Sequence, residues 1–162
     1  MRLYIHERLE GLPPQEAFRR WLDEIAARAV AVPHVRGLVE RGREVQGTRV
    51  RRSVHYALDV ELPRLARNFL HEEALRFELV EAWDASCLAC DWRMRSLGVP
   101  AESAAAGGAM HFLPEGLVVE GEVRLAREAL PVLARPMARS IEQTVARALE
   151  RGYRLLAAAL RG

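Results

Sequence analysis

Lysine is absent from this chain: all 24 basic residues among its 162 are arginine. That excludes Schiff-base and lysine-nucleophile chemistry. With the abundance of alanine, it reads as a coding bias and not as a functional choice. Cysteine is nearly absent as well, with only Cys87 and Cys90, so no disulfide framework is expected. There is no run of about five or six like charges, and the formal net charge is only +2, which argues against a nucleic-acid surface. No stretch approaches the ~20 apolar residues that span a bilayer. The opening MRLYIHERLEG carries Arg2, Glu7 and Arg8 where a signal peptide would have its apolar core. A cytoplasmic protein without an integral membrane segment is expected. The chain also has no GxSxG, no P-loop and no GxGxxG.

Half of the residues are hydrophobic and 28% are charged, an ordinary balance for a globular chain. Residues 1–162 are read as a single domain, a size that buries roughly 70% of its unfolded surface without disulfides or metals. The element that organises the rest is PMARSIEQTVARALERGYRLLAAAL, Pro136 to Leu160. Ala138, Ile141, Val145, Ala148, Leu149, Leu156 and Leu160 recur at helical spacing, and arginines and glutamates fill the other side. Such a helix needs cover for its apolar stripe.

The preceding chain supplies that cover. Arg2 to Leu9 alternates as a half-buried strand. After Pro13-Pro14, Ala17, Phe18, Trp21, Leu22, Ile25 and Ala29 fall at helical spacing until Pro33. The period then changes to two. Val35 to Gln46 and Thr48 to Asp59 form a hairpin around Gln46-Gly47, and Leu62 to Leu70 is a short linker. Further strands run over Ala74–Trp83, Leu88–Ser96, Ala109–Leu113 and Leu117–Leu125, with turns at Asp84-Ala85-Ser86 and Pro114-Glu115-Gly116. Gly98 to Gly108 reads as a small-residue loop and the segment best suited to move. Short connections make the strands an antiparallel meander, an α+β layer arrangement with one helix on one face.

Element order and local features together resemble the START/Bet v-type helix-grip (SRPBCC) superfamily, in the manner of its uncharacterised bacterial members. The features are MRLYIHERL followed by an amphipathic helix with Trp21, the Glu40/Gly42 hairpin, LPRLARNFL before a strand ending in EAW, and GAMHFLPEGLVVEGEV before the last helix. The resemblance implies a curved seven-stranded antiparallel sheet wrapped around the long C-terminal helix, with two short helices between strands 1 and 2. It also implies a hydrophobic cavity between sheet and helix, for a lipid, a polyketide or another apolar molecule. The second hairpin lacks the glycine-rich, phosphate-like loop of the plant members.

The alternation says which side chains face such a space. Arg52, Val54, Tyr56, Phe77, Leu79, Cys90, Trp92 and Met94 are expected there, with Met110, Phe112 and Val119 from the last hairpin. From the helix, Met137, Ile141, Val145 and Leu149 are expected to line any space left open. The competing reading is a filled core of the same residues. Glu7, Arg41, Arg52 and Glu81 fall in phase with the apolar face and need partners if buried. Glu81 and Arg41 are expected at strand ends, reaching water, and Arg52 in the cavity, where its donors suit a ligand's polar end. Cys87 and Cys90 match CxxC but fall on a strand, with no second ligand pair for a metal, so two structural cysteines are expected. The five histidines have no metal-binding spacing and no partner serine. No cofactor and no catalytic residue is nominated. Non-catalytic binding by a monomer or homodimer is therefore preferred to the alternatives. These are a cyclase/aromatase-type enzyme using Tyr56, Arg52 or His111, and a packed interaction module.

Overall fold

A computed structural model describes residues 1–28, 35–59, 75–100, 103–130 and 132–161. The alternating stretches become strands β1 (Arg2–Glu7), β2 (Val35–Gln46), β3 (Arg49–Leu58), β4 (Arg76–Asp84), β5 (Ala89–Ser96), β6 (Ala104–Leu113) and β7 (Gly116–Leu125). All pair antiparallel in one sheet of order β1-β7-β6-β5-β4-β3-β2. Helix α1 (Pro14–Arg28) lies between β1 and β2, and α2 (Ala138–Leu160) ends the chain. Residues 29–34, where a second short helix would fall, and the linker Leu62–Leu70 lie outside the described residues.

Because side chains alternate, the pairing register sorts each strand into an inner and an outer face. One inner row crosses the sheet from Arg52 through Glu81, Trp92, Gly108 and Gly121 to Leu3. The next runs from Val50 through Trp83, Cys90, Met110 and Val119 to Ile5. Apart from the half-buried Val50 and glycine positions, these side chains are buried. Asp84 shapes the β4–β5 turn by accepting from the Ser86 N–H at 2.9 Å, as an Asx turn does.

Helix α2 packs closest to β1, β7 and α1. Its buried residues are Ile141, Ala146, Leu149, Ala157 and Leu160. Pro136 sits in a short 3-10 turn just before it, so the helix starts two residues later than the pattern suggests. Polar ties fix both ends. Glu142 accepts from the Leu125 N–H at 2.8 Å, Arg154 pairs with Glu7 at 3.1 Å, and Arg20 donates to the Leu160 carbonyl at 3.2 Å. That last bond satisfies one of the carbonyls a helix end leaves unpaired, with a cation where the dipole favours one.

Two expectations are corrected. Ala104 to Gly108 is not loop but the first half of β6, paired with both β5 and β7. Only the stretch between Ser96 and Ala104 connects the strands. The reason is steric: the Trp92 ring lies over Gly121 on the inner face, and β6 approaches β7 so closely that a Cβ on Gly108 would meet the Glu120 carbonyl oxygen at 1.9 Å. Glycine is the residue such a strand needs, whatever its intrinsic preference. The second correction concerns β2. Irregularities between Arg36 and Val39, and between Glu40 and Gly42, shift its phase twice, with Gly37 at φ 61° in the first. Val39 and Val45 are therefore exposed and do not share the core face with Val35, while Arg41 reaches water as expected, although from the middle of β2 and not from a strand end.

Candidate functional site

Away from β1 and β7, the sheet and the helices leave a cleft. Its floor is Val54, Tyr56 and Leu58 of β3 with Leu79 of β4. Trp21 and Ile25 of α1 and Val35 and Leu38 of β2 form one wall. Leu149, Gly152, Tyr153 and Leu156 of α2 form the other. The lining is overwhelmingly apolar, and the free volume is about 80 Å³. That is well below the ~300–1,000 Å³ of sites that enclose a drug-sized molecule. Gly152 contributes directly to the space, since a Cβ built on it would touch nothing within 4 Å. A glycine inside a helix costs about 1 kcal/mol against alanine, so this one is a local weakness at a point where the helix faces free volume.

The polar end of the cleft is Arg52 with Glu81. Both are buried, at 2% and 3% exposure. Arg52 Nε and Nη2 reach Glu81 Oε2 at 2.6 and 2.5 Å, and Nη1 donates to the Leu22 carbonyl at 2.7 Å. The guanidinium also lies over the Trp83 ring, 5.7 Å from its centroid. The expectation that Glu81 reaches water at a strand end is thus overturned: the register sets it opposite Arg52, in the middle of β4. Burial pushes the Glu81 carboxyl above its ordinary range, against the pull of Arg52. Burial likewise raises the phenols of Tyr56 and Tyr153 well above their usual values, so both stay protonated. The Tyr56 hydroxyl faces Met94 Sδ. Tyr153 stacks on Trp21, with ring centroids 6.0 Å apart.

Of the residues expected to line a cavity, Arg52, Val54, Tyr56, Leu79 and Leu149 do so. Phe77, Cys90, Trp92, Met94, Met110, Phe112 and Val119 face inward but are packed into the main core. Met137, Ile141 and Val145 gather with Leu125, Leu130 and Ala134 toward the start of α2. Trp21, Ile25, Gly152, Tyr153 and Leu156 belong to the cleft without having been singled out for it. Continuing the three-and-four spacing past Leu149 leads to Gly152, Tyr153 and Leu156, so the signal was present. His111 lies between the inward Met110 and Phe112, paired across from Ala89 and Val118, on the outer face. It therefore does not meet Tyr56 and Arg52, and that acid–base set is not assembled.

Cys87 is exposed in the β4–β5 turn, whereas Cys90 is buried and burial raises its thiol. A thiolate-based dithiol needs both groups accessible and at least one of low pKa. In folded protein, Ellman's reagent is expected to titrate Cys87 promptly and Cys90 only on unfolding. Two prompt thiols would contradict this burial. Among the described residues no group of three or more metal-ligating side chains comes together. Likewise no helix among them is long and apolar enough to cross a membrane.

No protein-family model matches the chain, and no curated protein matches it. Its fold is the helix-grip fold: an open seven-stranded antiparallel sheet with a long C-terminal helix. Solved structures share it over almost the whole chain. The protein TTHA0849 of Thermus thermophilus superposes with a TM-score of 0.68 at 17% identity, covering 99% of this chain and 97% of its own. The Zhui aromatase/cyclase of Streptomyces sp. R1128 does so with a TM-score of 0.63 at 13% identity, over 99% and 93%. The 18 kDa protein CC1736 of Caulobacter crescentus gives 0.55 at 18% identity, over 99% and 96%. At these identities the likeness is one of fold.

Proposed function

We propose that this chain binds a small apolar or amphipathic molecule non-covalently in the cleft between β2–β4, α1 and α2. The observation carrying this reading is the apolar cleft itself, with a glycine of α2 facing its free volume and the Arg52–Glu81 pair in its lining. Desolvation of the ligand's apolar surface supplies the affinity, at ~25 cal/mol per Å² removed from water. A ligand larger than the present free volume has to displace the aliphatic side chains of the wall, Ile25, Val35 and Leu38, which are unconstrained by hydrogen bonds. The likeness to an aromatase/cyclase raises an enzyme on the same scaffold as a second reading. The position of His111 on the outer face weighs against the acid–base set that reading requires.

Gly152 offers the test. Gly152→Ala is expected to raise stability by about 1 kcal/mol, because the helix gains and nothing clashes. Gly152→Met is expected to fill the cleft and weaken binding of an apolar fluorophore such as 1-N-phenylnaphthylamine at least ten-fold, with the melting temperature maintained. Native mass spectrometry before and after organic extraction complements this. A wild-type protein that carries no co-purifying molecule and leaves the fluorophore's emission unchanged would remove the proposal.

A further inference from the structure

Within this ligand-binding reading, we infer that the cleft takes molecules whose polar end donates hydrogen bonds and carries no negative charge, and that it discriminates against carboxylates. An arginine in an apolar cleft ordinarily suggests the opposite, a clamp for an anion. Here the clamp is already closed. Two of the three guanidinium nitrogens of Arg52 are held by Glu81, at 2.6 and 2.5 Å, and the third by the Leu22 carbonyl at 2.7 Å. Trp83 covers one face. Three of its five N–H donors are thus taken, and a ligand carboxylate clamping Arg52 through the Nε edge would have to displace Glu81, whose charge would then be buried without a partner.

The surroundings favour the same sign. The second guanidinium of the cluster, Arg43, is engaged by Glu40 at 3.1 Å, by Asp23 at 3.2 Å and by the same Leu22 carbonyl at 2.9 Å. Glu40 also stands 4.0 Å from Arg52 Nη1. Asp23, Glu40 and Glu81 thus face Arg43 and Arg52, with Arg19 also near Asp23, and no surplus cation is left for an anionic ligand. Both bonds from Arg52 converge on Oε2 of Glu81, and the Trp83 indole is the other donor beside this carboxylate, so a ligand hydroxyl or ammonium group has to share the remaining acceptor capacity with it.

The test uses wild-type protein loaded with 1-N-phenylnaphthylamine and displaced at pH 8 by 1-octanol, octylamine or octanoate. Octylammonium and octanoate carry the same chain and one charge each. Their difference therefore isolates the sign of the head from the general cost of burying an ion. Octylamine is expected to displace the probe at a concentration at least ten-fold lower than octanoate, with 1-octanol also ahead of octanoate. Glu81→Gln, which frees Arg52, should shift the preference toward octanoate by ten-fold or more. Should that variant not fold, Arg52→Met/Glu81→Leu removes both charges and should abolish the amine-over-carboxylate preference. Octanoate matching or beating octylamine on the wild type would overturn the inference while leaving ligand binding intact. A probe that does not bind at all would overturn the ligand-binding reading and this inference with it.

Discussion

Replacing Arg52 with methionine is expected to remove about 3–5 kcal/mol of unfolding free energy, because it leaves the Glu81 carboxylate buried without its counter-charge. The double variant Arg52→Met/Glu81→Leu should recover most of that loss. Removing a buried ion pair as a unit also removes the desolvation cost of both ions, whereas removing one partner strands the other. At 2% and 3% exposure and 2.5 Å separation, this pair meets the conditions for strong coupling in a double-mutant cycle. The acidity of Glu81 adds a signature. Burial raises its carboxyl above the ordinary 4.5, and without Arg52 the larger of the opposing influences is gone, leaving only the Trp83 side-chain hydrogen bond. The folded state then holds a proton that the unfolded state releases. The associated stability is full below pH 4.5 and is lost as pH rises through the folded-state value. In urea titrations the deficit of Arg52→Met should therefore be larger at pH 8 than at pH 5. A deficit below about 1 kcal/mol at both pH values would mean that the pair is not closed as described.

The second large effect lies in β6. Gly108→Ala is expected to cost about 3 kcal/mol or more, at the upper end of what overpacking does. The new Cβ would meet the Glu120 carbonyl oxygen at 1.9 Å and the Gly121 Cα at 2.5 Å, both main-chain atoms that cannot rotate away. Gly121→Ala meets the Trp92 ring at 2.7 Å and the Gly107 oxygen at 2.8 Å and should be nearly as severe. Gly107 is the internal control. It lies on the outer face, its nearest contact would be the Trp92 carbonyl oxygen at 3.1 Å, and Gly107→Ala should change stability by less than about 1 kcal/mol. For a chain of this size each kcal/mol moves the melting temperature by roughly 2–4 °C, so thermal melts separate the three variants. Equal melting of Gly107→Ala and Gly108→Ala would contradict the close approach of β6 and β7. A smaller deficit for Gly121→Ala in a Trp92→Leu background would assign part of its cost to the ring.

These two regions also mark where the sequence could be read and where it could not. Tyr56, Phe77, Trp92, Met94, Met110 and Phe112 were legible as inward residues because a sheet with one buried face writes a period of two into the chain. The stripe of α2 was legible for the analogous helical reason. Ala104 to Gly108 was not, since alanine and glycine carry little strand preference and here answer to the Trp92 ring and to the backbone of β7. The face of β2 was hidden by its irregularities, each of which reverses the phase. Arg52 and Glu81 were both in phase with the core, yet their pairing depends on the register between β3 and β4, which no local pattern encodes. The boundary between packed core and cleft depends on summed side-chain volumes across five elements. It could not be read from any one of them.

The irregular course of β2 has a consequence for the chain's behaviour in crowded solution. In an open sheet, the outermost strand presents unpaired N–H and C=O groups on which a second molecule can build intermolecular β-structure. β2 occupies that position, and its sequence VRGLVERGREVQ interrupts such templating in two ways. Its phase shifts, with Gly37 in the left-handed region, break the even spacing of donors and acceptors that a partner strand would have to match. Arg36, Glu40, Arg41, Arg43 and Glu44 mix both signs of charge along its length, against which a straight apolar strand finds no complement. The same irregularities that bring Val35 and Leu38 to the cleft thus act as a guard against fibrous self-association.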